Sequence, residues 1–171
     1  MPHHRSSAQA TVSNPVPDQR TPLQFPMAIA FVRSLGMELL HMDAGRSEVA
    51  LSVAPDHLNA WGVAHGGVLM TMLDVAMAMA ARSVHASGHG VATVEMKTSF
   101  MRPAEGRLHA HGHLQHATST LAFCQAELLD DAGQLCASAT GTFKYLRALP
   151  SRTGVKTQDR TAAAADPSPQ E

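Results

Sequence analysis

Residues 66–83, GGVLMTMLDVAMAMAARS, most constrain the fold. From 66 to 81 they carry one ionisable side chain, Asp74, amid Met, Leu, Val, Ala and Gly. These are good helix formers, and the stretch is too long for an ordinary strand. The apolar residues lie on nearly every side of such a helix, so it has to be enclosed rather than laid on a surface. The wrapping must come from the rest of the chain.

Four stretches after Gly90 supply it: residues 91–101, 107–116, 120–129 and 135–146, separated by turn-like segments at 102–106, 117–119 and 130–133. Apolar residues recur at period two, as in Val94, Met96 and Phe100, or in Leu121 and Phe123 opposite Ala122, Cys124 and Ala126. One face of each strand is therefore expected to be buried. Upstream, residues 37–53 alternate around Asp43-Ala44-Gly45 and read as two strands or one bent hairpin. An antiparallel sheet curled around the helix is the simplest architecture. Thr21-Pro22 and Gly36 read as the start and stop of a short amphipathic helix. The polar residues 1–20 and the Ala-, Pro-, Ser- and Thr-rich residues 148–171 are expected to be disordered tails, leaving a single ordered domain at 21–147.

Asp74 is the anomaly in this picture. It lies too deep in the helix to cap it or to gain from the helix dipole. Burying an unpaired carboxylate costs several kcal/mol or drives its pKa upward. A perturbed carboxylate in a cleft is a candidate base or nucleophile. The alternative is that Asp74 reaches solvent at a gap in the sheet, or pairs with Arg82 or a strand residue.

His65-Gly66-Gly67 opens the same helix. A Gly-Gly pair there lets a ligand approach the backbone, and the first-turn N–H groups point outward with the positive end of the helix dipole behind them. Such a turn can polarise a carbonyl, or it can be only a tight turn in which His65 satisfies a loop group. Gly66 and Asp74 stand eight residues apart, about 12 Å along the axis. Polarising donor and attacking group must meet adjacent reacting atoms. If both act on one carbonyl, they come from two subunits related by a twofold axis, which predicts a homodimer with shared sites.

Asn59, then His65-Gly66-Gly67, then Asp74, followed by Gly90-Val91-Ala92-Thr93-Val94-Glu95-Met96 and Phe100-Met101-Arg102-Pro103-Ala104, is a pattern that resembles the PaaI-like, phenylacetate-pathway-type hotdog thioesterases over residues 36–146. The resemblance implies an α+β hotdog fold, a long central helix wrapped by a curved antiparallel sheet of five or six strands. It implies homodimers joined edge to edge, commonly paired into homotetramers, and an acyl-CoA thioesterase that hydrolyses an acyl- or aryl-CoA to the free acid and CoA. In that scheme the Gly66 N–H polarises the carbonyl, Asn59 and His65 hold loop and ligand, and Asp74 of the partner subunit is general base or nucleophile. Thr93 falls where relatives carry a hydroxyl that positions water. No cofactor is implied beyond the coenzyme A of the substrate, and a thioester needs no strong leaving-group acid because a thiol has a low pKa.

Other features carry less. Met70, with Met72, Met77 and Met79 and further Met96 and Met101, suits an adaptable acyl pocket, although core filling explains these residues equally well. Trp61, in the loop before His65, lines a pocket mouth or only packs, and Gly67 is a candidate substrate-binding residue. Arg102 and Arg107 could meet CoA phosphates or form surface salt bridges. His109, His111 and His113 alternate on one strand face, with His116 following. They read as the solvated side of a half-buried sheet, or a subunit contact, before a metal site. No metal motif of the usual Cys/His spacing is present. With 13 Lys and Arg against 14 Asp and Glu, and no basic run, nucleic acid is an unsuitable partner. Cys124 and Cys136 read as buried thiols of a cytoplasmic protein. The apolar run at 68–81 is too short and too interrupted to span a membrane. Two other readings remain open: a hotdog acyl-thioester dehydratase or hydratase, which needs a poised His base, and a non-catalytic acyl-CoA sensor.

Overall fold

The structure is a computed structural model that describes residues 20–85 and 90–146. Apart from Arg20, the two expected tails lie outside these residues. The elements in chain order are α1 (Ala30–Ser34), β1 (Glu38–Asp43), β2 (Arg46–Ser52), a 3-10 turn (Pro55–His57), α2 (Gly66–Arg82), β3 (Gly90–Phe100), β4 (Arg107–Ala117), β5 (Leu121–Asp130) and β6 (Leu135–Leu146). The six strands form one sheet in the order β1-β2-β4-β5-β6-β3, and every neighbouring pair is antiparallel. Leaving β2, the chain runs through α2 to the far edge, enters the sheet as β3 and crosses back to β4. That route lays α2 along the curved sheet, which is the hotdog arrangement.

Local chemistry explains the corners. Between β1 and β2, Ala44 and Gly45 both have positive φ, 47° and 77°, as a two-residue type I′ turn requires. Before β6, Asp130 Oδ1 accepts from the N–H groups of Ala132 and Gln134, both at 2.9 Å, and so closes its own turn.

The expected enclosure is present. Met72, Leu73, Ala76, Met77, Ala80 and Ala81 of α2 are fully buried. Helix and sheet approach closely at β4, where a Cβ added to Gly112 would lie 2.3 Å from the Ala76 carbonyl oxygen. Ser47 on β2 donates to that same oxygen at 2.6 Å. On β5 the small side chains of Ala122, Cys124 and Ala126 face the helix while Phe123 turns outward. Both cysteines are buried free thiols, and burial pushes Cys124 up to about 12.

Two expectations need correction. The N-terminal helix is only Ala30–Ser34, and Leu23 instead bridges Leu39 of β1. Pro26 is the reason, because it disfavours the helical region for Phe25 and offers no N–H. The even alternation of Val94, Met96 and Phe100 also fails. Thr93 pairs with Phe143 and Glu95 with Thr142, so the register shifts at Val94. This bulge flips the face beyond it. Val94 is 59% exposed, while Met96 turns inward.

Candidate active site

Asp74 lies in the middle of α2, partly exposed, where β3 passes alongside. Thr93 Oγ1 donates to Asp74 Oδ1 at 2.7 Å, and no Arg82 nitrogen pairs with it among the described residues. Burial pushes the Asp74 carboxyl above its ordinary range, and the Thr93 hydroxyl pulls partly against that. The carboxylate is thus raised but held in one orientation, the state suited to proton abstraction or attack. The Val94 bulge sits directly after Thr93, and bulges commonly re-aim a side chain beside a site.

Asp74 and Thr93 open onto a cavity of about 400 Å³. Its floor is one face of α2, from Met70 and Thr71 through Asp74, Val75 and Ala78 to Met79 and Arg82. Val91 and Met96 of β3 form one wall, and Met27, Ile29, Phe31 and Val32 from the N-terminal segment form the other. The lining is mainly apolar with polar groups at defined points, the usual form of a small-molecule site. Of the methionines considered for an acyl pocket, Met70, Met79 and Met96 line this cavity, whereas Met72 and Met77 are fully buried in the core.

At the helix start, His65 Nδ1 accepts from the Gly67 N–H at 2.9 Å, making His65 the N-cap of α2. That bond occupies the Gly67 donor. The Gly66 N–H has no acceptor among the described residues, so it remains available for a ligand. Asn59 Oδ1 accepts from Trp61 N at 2.9 Å and Val63 N at 3.4 Å, which fixes the loop before the cap. Gly66 and Gly67 do not line the Asp74 cavity of their own chain, in keeping with the separation worked out from helix rise.

The thioesterase superfamily model matches residues 62–137, which take in the helix start, Asp74 and Thr93. A putative esterase of Deinococcus radiodurans is 34% identical over 129 residues, 74% of this chain and 84% of its own. The chain belongs to the thioesterase superfamily. The medium/long-chain acyl-CoA thioesterase YigI of Escherichia coli is 27% identical to this thioesterase over 135 residues, 70% of this chain and 87% of its own. A solved structure of a variant phenylacetic acid degradation protein PaaI from Thermus thermophilus superposes with a TM-score of 0.62 at 30% identity, covering 68% of this chain and 98% of that one. The thioesterase is of the PaaI-like hotdog kind, a thioester hydrolase.

Other expected site residues of this thioesterase lie apart from the cavity. Trp61 neither packs nor lines it and is 86% exposed in the single chain. Arg102 donates to the Leu135 carbonyl at 2.9 Å, pinning the β3–β4 connection to β6. Arg107 pairs with Glu38 at 2.5 Å, a surface ion pair as the salt-bridge alternative has it. The histidine face of β4 is more than a solvated side: His109 Nδ1 lies 2.9 Å from Glu48 Oε1 on β2, and Arg20 holds the same carboxylate. No helix among the described residues is long and apolar enough to cross a membrane.

The pocket residue Val91 escaped the sequence reading because the bulge hides the face it shares with Met96. Arg82 was visible only as a possible partner of Asp74. Its position in the row 74, 78, 82 was the available signal, since residues four apart share a helix face.

Proposed function

We propose that this protein hydrolyses acyl-CoA thioesters, with Asp74 as general base or nucleophile and the Gly66 N–H of the partner subunit polarising the thioester carbonyl. The observation that carries the reading is the Asp74 carboxylate, raised by burial and oriented by Thr93, at the side of an apolar cavity. The carboxylate either takes a proton from water as that water adds to the carbonyl carbon, or adds to it directly. The tetrahedral oxyanion is held by the backbone donor. The C–S bond then breaks and the CoA thiolate takes up a proton. The water route gives the free acid at once, whereas direct attack leaves a mixed anhydride on Asp74, which water cleaves to the free acid and the regenerated carboxylate. The YigI relative supports coenzyme A as the thiol, and the chain's own residues suffice without a cofactor.

Two features support a second copy beside β3. It is an edge strand, and Val94, Phe100 and Met101 are 59%, 52% and 49% exposed there, an apolar edge of the kind proteins cover. Gly66 also lies beside Phe100, whose ring would touch an added Cβ at 3.4 Å. A dimer across this edge brings the helix start of one subunit toward the Asp74 of the other, and pairing of two such dimers gives the tetramer.

Asp74→Asn tests the reading against a panel of acyl-CoAs, followed by thiol release. We expect a loss of about 10²- to 10⁴-fold in kcat with the oligomer intact by light scattering. Unchanged turnover removes Asp74 from the mechanism.

A further inference from the structure

The cavity that holds Asp74 has a second charged residue. Arg82 lines it and is 8% exposed. Its only hydrogen bond among the described residues runs from Nη1 to the Met27 thioether sulfur at 3.8 Å, and thioethers are weak acceptors. Its Nε is buried without a partner. No carboxylate lies within ion-pair distance of it among the described residues, and it donates to no carbonyl of the last helical turn. A guanidinium carries five donors and stays charged at any physiological pH. Leaving such a group with a thioether as its one acceptor and Nε buried without a partner is costly.

Arg82 lies on the same face of α2 as Asp74 and Ala78, eight residues beyond Asp74 and so about 12 Å further along the axis. Beside Thr93, which faces Asp74, β3 runs back toward the helix start, where Phe100 meets Gly66, so the wall between Asp74 and Arg82 is Val75, Ala78, Met79 and Val91. The cavity therefore has a reacting carboxylate at one point, an apolar passage, and a buried cation that needs an anion. The group that fits a planar, bidentate donor at the end of an apolar run is a carboxylate.

We infer that the acyl group taken by this site carries a terminal carboxylate: the substrate is the mono-thioester of a medium-chain dicarboxylic acid, its free carboxylate paired with Arg82 while its thioester carbonyl lies at Asp74. This rests on the acyl-CoA hydrolase reading and narrows it. An unsubstituted acyl chain of the same length fills the passage but leaves Arg82 unpaired. The discrimination is then that of a site built for a polar group, which rejects the analogue lacking it more strongly than an apolar pocket rejects a methylene.

The test compares kcat/KM for succinyl-, adipyl-, suberyl- and sebacyl-CoA with that for octanoyl-CoA, in the native protein and in Arg82→Met. The native protein is expected to favour adipyl- or suberyl-CoA over octanoyl-CoA by about ten- to hundredfold, the worth of a hydrogen-bonded charge, mainly through KM. Arg82→Met is expected to collapse that ratio or invert it. If the native protein hydrolyses octanoyl-CoA as well as or better than every dicarboxylyl-CoA, the inference is overturned and the thioesterase reading stands. A preference that survives Arg82→Met also overturns it. Should Arg82→Met fail to fold, the native preference alone decides. Should no thioester be hydrolysed, the acyl-CoA reading fails, and calorimetric titration with suberate against octanoate decides the Arg82 site separately. Binding of suberate alone supports it, and equal or absent binding overturns it.

Discussion

Replacing Thr93 by valine keeps the β-branched shape and removes one hydroxyl, the group 2.7 Å from Asp74 Oδ1. Burial raises the Asp74 carboxyl and the Thr93 hydroxyl lowers it, so in Thr93→Val only the raising cause is left. In the proposed mechanism Asp74 acts as the carboxylate, so activity should fall as pH drops through its pKa. In the variant that acid limb moves to higher pH. A hydrogen bond to a charged group is worth about 1.5–3 kcal/mol. Asp74 is partly exposed, which favours the lower end, and about 1.4 kcal/mol is a factor of ten. On the acid side of the profile kcat/KM should therefore drop about tenfold, with the two proteins converging at higher pH. The assay is thiol release across the pH range, with Thr93→Ser expected to restore the native limb. A loss that is the same at every pH, or an unmoved limb, refutes the reasoning that the Thr93 hydroxyl sets the ionisation of Asp74.

Gly112→Ala drives a methyl to 2.3 Å from the Ala76 carbonyl oxygen and 2.6 Å from Ser47 Oγ. Overpacking of this kind should cost about 3 kcal/mol, read as a lower urea midpoint, and a change under about 1 kcal/mol would contradict the close helix–sheet contact. Asp74→Asn should stabilise the protein at neutral pH. A group raised in the folded state contributes stability that is full below its unfolded pKa and lost as pH rises through the folded one. Removing the charge should thus add about 1 kcal/mol at pH 7, a gain that fades in acid. Glu48 has the opposite sign: burial alone would raise it, but Arg20 and His109 together bring it below its ordinary value. Its contribution is present above that value and lost as pH falls through the lowered one, so Glu48→Gln should flatten the acid end of a stability–pH curve.

The central helix and its wrapping were legible because apolar periodicity is local: 66–83 cannot be a strand, and the stretches after it cannot be helices. The register of β3 was not legible, because a one-residue bulge at Val94 leaves no mark on composition yet reverses the face of everything beyond it. The N-terminal helix was overread by weighing Pro22 as a start and passing over Pro26 as a break. At the site, Asp74 stood out as a charge inside an apolar helix, and the Gly66 donor followed from the missing acceptors of any helix start. The role of His65 as cap, which occupies Gly67, depends on one rotamer. The apolar walls at Met27, Val91 and Met96 are brought to Asp74 by tertiary packing alone.

The central claim is that each active site takes Asp74 from one subunit and the Gly66 N–H from the other, and complementation of two inactive variants tests it most directly. Gly66→Pro deletes that N–H at a position where proline suits the first helical turn, and His65 already has the extended conformation that a following proline requires, φ −63° and ψ 137°. Each variant alone should be nearly inactive. Unfolded, mixed and refolded in equal amounts, Asp74→Asn and Gly66→Pro should recover about a quarter of native activity, because half the dimers are mixed and each of those holds one intact site. No recovery from mixed dimers whose formation is verified by native mass spectrometry would contradict the shared site and return both groups to one chain.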